Sequence, residues 1–138
     1  VGTQMKKMTE SYIWDKLKDS IEGTHFTRHE DRTTCGIPDV SYGRHKRNGW
    51  IELKAYRMPL ELSSVPSFRN FKRPQKKWLK KRGKTGDYCF LLIGFGENIL
   101  LLDWKQVDLC GQASMEQLIS KALFFGSIDN ISGLKHLL

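Results

Sequence analysis

An unbroken apolar run at residues 88–94, from Tyr88 to Gly94, limits what this chain can fold into more than any other feature. At this length it falls far short of the roughly 18 apolar residues that would cross a membrane. Without alternation it does not suit a strand with one wet face, so it reads as a central strand covered on both sides. The preceding segment, residues 74–82, has Pro74 at a first helical position, with Gly83 and Gly86 punctuating its end. Before that, residues 49–56 read as a strand, with Ile51, Leu53 and Ala55 facing one way and Trp50, Glu52 and Lys54 the other. Strand, helix and buried strand make a right-handed crossover between parallel strands. The fold class is therefore α/β, a mixed sheet flanked by helices.

The remaining elements fit this frame. Ile13, Leu17 and Ile21 recur at helical spacing, so residues 9–21 are expected to be helical, with Thr9 or Ser11 as cap. A short strand at 25–28 and a polar loop to Gly36 lead to a strand at 39–43. This pairs with residues 49–56 through the loop Arg44-His45-Lys46-Arg47-Asn48. Residues 58–73, with Pro59 and Pro66, read as a long loop, a length that in compact domains often serves function. A strand at 99–104 follows, then an amphipathic helix at 114–125. The expected order is α-β-β-β-α-β-β-α in one domain spanning 138 residues. The apolar tail beyond it could pack on the core or on a second subunit. Val1 to Gln4 are compatible with a short remnant ahead of a native Met5.

Charge is concentrated. Residues 44–84 hold 14 of the 23 Lys and Arg but only two of the 15 acids, so this stretch carries +12 and the remainder −4. A polyanion such as nucleic acid suits that distribution; a solvated basic face is the plainer reading. Lys76, Lys77, Lys80, Lys81 and Arg82 point outward from one helix and could follow a phosphate backbone. Phe68 and Phe71, interleaved with Arg69, Lys72 and Arg73, could stack on unpaired bases or anchor the long loop. The three cysteines, Cys35, Cys89 and Cys110, match neither a disulfide framework nor a zinc pattern. With no leader and no membrane-length apolar run, a reducing, cytoplasmic setting is expected.

The hairpin carries the chemistry. If Gly43 pairs with Asn48, Asp39 falls opposite Glu52, with Cβ atoms about 4.5–5.5 Å apart. Two like charges so placed repel, unless a divalent cation takes both as oxygen ligands. Lys54 lies two residues on, about 6.6 Å along the strand on the same face. An ammonium there can hold an attacking water or offset charge developing on a phosphate. Glu10, on the edge of the first helix, could add a carboxylate.

The residues Gly36-Ile37-Pro38-Asp39, Trp50-Ile51-Glu52-Leu53-Lys54 and Gln75 with Trp78 resemble the PD-(D/E)XK nuclease superfamily. Within it they are most similar to the virus-type replication-repair nuclease domain. The resemblance implies a restriction-endonuclease-like fold. It also implies Mg²⁺ or Mn²⁺ bound by Asp39, Glu52 and the backbone carbonyl of Leu53, with Glu10 as a further ligand. Lys54 would be catalytic and Gln75 would support the site. Members cut DNA, and several standalone ones resolve branched junctions as homodimers, so the implied activity is a Holliday-junction-resolvase-like endodeoxyribonuclease, and a phage or viral origin is compatible with it. DNA contacts are expected from Arg44, Lys46, Arg47, Arg69, Lys72, Arg73, Lys76, Lys77 and Lys80. The loop at 56–73 is longer than the family norm.

Each piece has a plainer explanation. Glu52 and Lys54 could be a solvent-facing strand pair, Asp39 a turn residue, Glu10 a helix-start acid and Gln75 an early-turn residue. The rival function is a non-catalytic nucleic-acid-binding module that keeps only the fold and the basic surface.

Overall fold

A computed structural model describes residues 8–30 and 35–138 of the chain; Val1 to Gln4 and part of the polar loop before Gly36 lie outside the described residues. Helix α1 (Glu10–Ser20) starts at Thr9, whose Oγ1 accepts the N–H of Tyr12 at 3.0 Å, and it buries Ile13 and Leu17. Strands β1 (Thr24–Arg28), β2 (Val40–Arg44) and β3 (Arg47–Tyr56) follow, then α2 (Arg73–Gly83), β4 (Tyr88–Phe95) and β5 (Asn98–Asp103). A 3₁₀ segment (Trp104–Leu109), α3 (Met115–Lys121), β6 (Phe124–Ser127) and a second 3₁₀ segment (Ile128–His136) complete the chain.

The sheet has six strands in sequence order. Only β3 and β4 run parallel, bridged by α2, as the apolar run predicts; the other neighbours are antiparallel. From Cys89 onward every residue of β4 is buried, because both faces of the sheet are covered there. On one face Ile51, Leu53, Phe90 and Leu92 pack beneath α1 and residues 128–136. On the other, Leu91, Ile93, Leu100 and Leu102 pack with Leu79 of α2 and with Met115 and Leu118 of α3. This second core takes nothing from β1 or β2, so on the α2 side those two strands stay uncovered.

Two expectations need correction. The helix expected at 114–125 ends at Lys121, and Phe124–Ser127 becomes a sixth strand paired with β5. β5 would otherwise present unpaired backbone groups at the sheet edge, and satisfying them outweighs a helical pattern carried by a few apolar residues. The hairpin loop is also shorter than expected: Arg44 pairs with Arg47, leaving a two-residue turn at His45 (φ 45°) and Lys46 (φ 67°). Positive φ at both positions is the type I′ geometry that matches strand twist. The apolar tail packs on the core, with Ile128, Ile131, Leu134 and Leu138 in the cluster under α1. Among the described residues no helix is long and apolar enough to cross a membrane.

Candidate active site

β3 sends Trp50, Glu52 and Lys54 to its α2-facing side. Glu52 is 1% exposed and Lys54 5%, and these are the buried charged side chains among the described residues. The register runs Gly43↔Asn48 through Val40↔Ile51, which brings Asp39, the residue just before β2, beside Glu52. There the backbone ladder gives way to a side chain: the Leu53 N–H donates to Asp39 Oδ2 at 2.8 Å, while the Asp39 carbonyl accepts from the His29 N–H at 2.7 Å. Since the N–H and C=O of one residue leave a strand on the same side, the Leu53 carbonyl also turns toward Asp39.

The electrostatics follow from burial. Loss of water pushes the Glu52 carboxyl well above its ordinary range, and a hydrogen bond with Asp39 and its charge push the same way, while Lys54 opposes them. Glu10, in the first turn of α1, is also raised, first by burial and then by Asp39. Oε2 of Glu52 is buried with no hydrogen-bond partner. An orphaned carboxylate oxygen beside a second carboxylate is costly in the bare protein. A hard divalent cation suits this donor set, since carboxylate and carbonyl oxygens are its preferred ligands. The described residues hold no group of three or more His, Cys, Asp or Glu that could cage a metal alone.

Lys54 is fixed from the long loop. Its Nζ donates to the Asn70 carbonyl at 2.6 Å and lies 5.8 Å from the centre of the Phe71 ring. The loop is anchored in turn: Phe71 is buried, Phe68 packs edge-on against Tyr56 and Phe95, and the Tyr56 hydroxyl donates to the Arg69 carbonyl at 2.7 Å. Gln75 sits at the start of α2, where its Oε1 accepts the Lys72 N–H at 2.8 Å and satisfies a donor at the helix entrance. Gly36 (φ 90°) packs so closely on this helix start that a Cβ would lie 2.5 Å from the Pro74 carbonyl oxygen. A cleft of about 810 Å³ opens here, its wall including Glu10, His29, Asp39, Lys54, Lys72 and Gln75.

The expected DNA-contacting residues divide into groups. Lys72 reaches the cleft, and Lys76 lies over Phe71 at 5.3 Å. Arg69, Arg73 and Lys77 are exposed around the start of α2. Lys80 pairs with Asp108. Arg44, Lys46 and Arg47 sit at the hairpin, and Arg47 lies about 16 Å from Glu52 along β3. Arg44 donates to the Glu22 carbonyl at 2.6 Å, and Arg47 to the Leu138 carbonyl at 3.1 Å. Sequence reasoning missed two contributors. Asn70 acts through its backbone carbonyl, which no residue pattern announces. His29 bonds Ser41 Oγ at 2.7 Å and stacks on Trp50 at 5.5 Å.

No family model matches the chain, and no curated protein does. Among solved structures it is similar to Hjc of Archaeoglobus fulgidus, a Holliday junction resolvase from an archaeal hyperthermophile. The two share 13% identity at a TM-score of 0.53, over 89% of this chain and 93% of that one. At that identity the likeness is one of fold, the restriction-endonuclease-like sheet flanked by helices.

Proposed function

We propose that this chain is a divalent-metal-dependent endonuclease that hydrolyses phosphodiester bonds in branched DNA, with the motif pattern of the virus-type replication-repair nucleases. The observation that carries the proposal is a half-buried Asp39 set beside the buried Glu52, next to a buried Lys54, at the end of a sheet that leaves Glu52 Oε2 unpartnered. A fold shared with a junction resolvase and a stretch of charge +12 support the choice of substrate.

In this reading Asp39, Glu52 and the Leu53 carbonyl hold Mg²⁺ or Mn²⁺, with Glu10 as a further ligand. The bound ion supplies a water of lowered pKa and offsets phosphate charge. Lys54, oriented by the Asn70 carbonyl, places its ammonium where charge builds on the phosphate. Gln75 keeps the start of α2 against the cleft. Lys72, Lys76, Lys77 and Arg73 grip the backbone that leads into it.

The test is cleavage of a labelled four-way junction beside duplex, flap and single-stranded controls, each with Mg²⁺, Mn²⁺ or EDTA. Paired symmetric nicks confined to the junction and lost in EDTA support the proposal and imply two copies per junction. Metal-dependent cutting of every substrate alike removes the preference for branched DNA. Binding without cutting under any metal overturns the enzymatic role and leaves a binding module.

A further inference from the structure

The α2-facing side of β1 and β2 is uncovered, and what it presents is unlike ordinary sheet surface. Next to the cleft, His29 stacks on Trp50, Trp50 meets Trp78 edge-on at 4.8 Å, and the Arg82 guanidinium lies 5.2 Å and 4.7 Å over those two indoles. Among the described residues Arg82 has one acidic partner, Asp87, at a loose 3.4 Å, so much of its donor fork stays available. Beyond this wall the floor opens into a groove of about 400 Å³ that includes Thr27, Ser41, Gly43 and Asn48. His25, Gly43 and Asn48 also line the next hollow, at the hairpin, together with Arg44, Lys46 and Arg47. His29 belongs to the cleft and bonds Ser41 of the groove, so the three spaces join.

We propose that this track, from the catalytic cleft across β1, β2 and the start of β3 to the basic hairpin, seats a single DNA strand continuing from the cleaved phosphate. The proposal rests on the nuclease reading of the cleft. From Lys54 to Arg47 the track follows seven residues of β3, about 23 Å. Its charge runs from carboxylates that suit a metal to the hairpin turn at Lys46, complementary to a phosphate chain leaving the site, while Arg44 and Arg47, which donate to the Glu22 and Leu138 carbonyls, border the hairpin hollow from the α1 side. Trp50 and the Arg82 guanidinium line the groove as a stacking wall, and Ser, Thr, Asn and His offer polar groups along the floor. Stacking needs an unpaired base, because a paired base shows the grooves its edge and not its face. A single-stranded arm at a branch point meets that requirement, while intact duplex does not.

Gly43 provides a clean probe. It lies mid-track, its φ is unexceptional, and a Cβ there meets nothing within 4 Å. Gly43→Glu should therefore fold normally while placing bulk and negative charge in the strand's path; an unchanged melting temperature checks this. Affinity is measured in EDTA, so the result does not depend on cleavage, using a forked duplex with single-stranded arms and a blunt duplex of the same sequence. The expected outcome is a loss of about tenfold or more for the fork and under about twofold for the blunt duplex, in line with the loss of one stacked base. Thr27→Glu should repeat the pattern, and Ser120→Glu, on α3, should not. Equal losses on both DNAs would show that duplex lies in the track, and undiminished fork binding would show that nothing does; either overturns the proposal. Failure of the nuclease reading shows separately, as absence of cutting by the wild type with Mg²⁺ or Mn²⁺.

Discussion

Asp39 and Glu52 occupy sheet positions where neighbours are normally apolar or of opposite charge, and the bare protein carries the cost. Burial of Glu52 without a partner for Oε2 costs about 1–3 kcal/mol. Glu52→Gln removes the charge and keeps the shape, so in EDTA at neutral pH the variant should melt higher than wild type, by about 3–6 °C. The pH dependence has a definite sign. A carboxyl whose folded pKa is raised leaves stability intact below the unfolded value, near 4.3, and removes it as pH rises toward the folded value. The gap between the variant and wild type should therefore widen with pH above about 4.3, and melting curves in EDTA check it. Saturating Mn²⁺ should reverse the order, stabilising wild type by about 3 kcal/mol at a hundredfold excess over Kd and the variant far less. At this scale much was legible in the sequence. Pairing Gly43 with Asn48 was enough to set Asp39 against Glu52, since side-chain period fixes the register. Neither the Asn70 carbonyl on Lys54 nor the Gln75 oxygen spent on the Lys72 N–H could be read, because both depend on how a long loop returns to the sheet.

Among the elements, α2 and the segment around Gly36 act together. Gly36→Ala forces a Cβ against the Pro74 carbonyl at a φ of 90°, costing about 1–3 kcal/mol and shifting Asp39 relative to Gln75. Cleavage should fall at least tenfold while circular dichroism stays native, an outcome a remote alanine substitution does not give. The closing 3₁₀ segment makes a separate prediction. Leu134 is fully buried under α1, so Leu134→Ala should destabilise by about 2–5 kcal/mol in urea denaturation without altering specificity. The crossover from β3 through α2 to β4 was visible in the sequence because an apolar run after a Pro-started helix has few alternatives. β6 was not, since Leu118, Ile119, Ala122 and Leu123 continue a helical pattern that an open sheet edge overrides. The hairpin turn was hidden for a related reason: His45 and Lys46 take positive φ with no Gly or Asn to signal it.

For the whole molecule, the division of charge is the organising fact. Acids gather toward one end of β3 and bases at the hairpin and along α2, a division that under the proposed function would draw DNA in by its backbone toward the carboxylates. If six or more phosphates are neutralised, affinity should drop about a thousandfold between 50 and 200 mM salt, and a nearly flat dependence would contradict backbone binding. The composition suited a polyanion but could not suggest a path for one, because the uncovered face of β1 and β2 exists only through what α2 and α3 leave bare.

The proposed function requires Asp39, Glu52 and Lys54 to form one metal-dependent phosphodiester-cleaving centre. Its most direct test is single-turnover cleavage of a four-way junction in saturating Mn²⁺ by wild type and by Glu52→Gln, with junction binding measured alongside. The predicted result is a rate reduced by about a thousandfold or more in the variant, with binding within a few-fold of wild type. A Glu52→Gln protein that cuts within tenfold of the wild-type rate would contradict it.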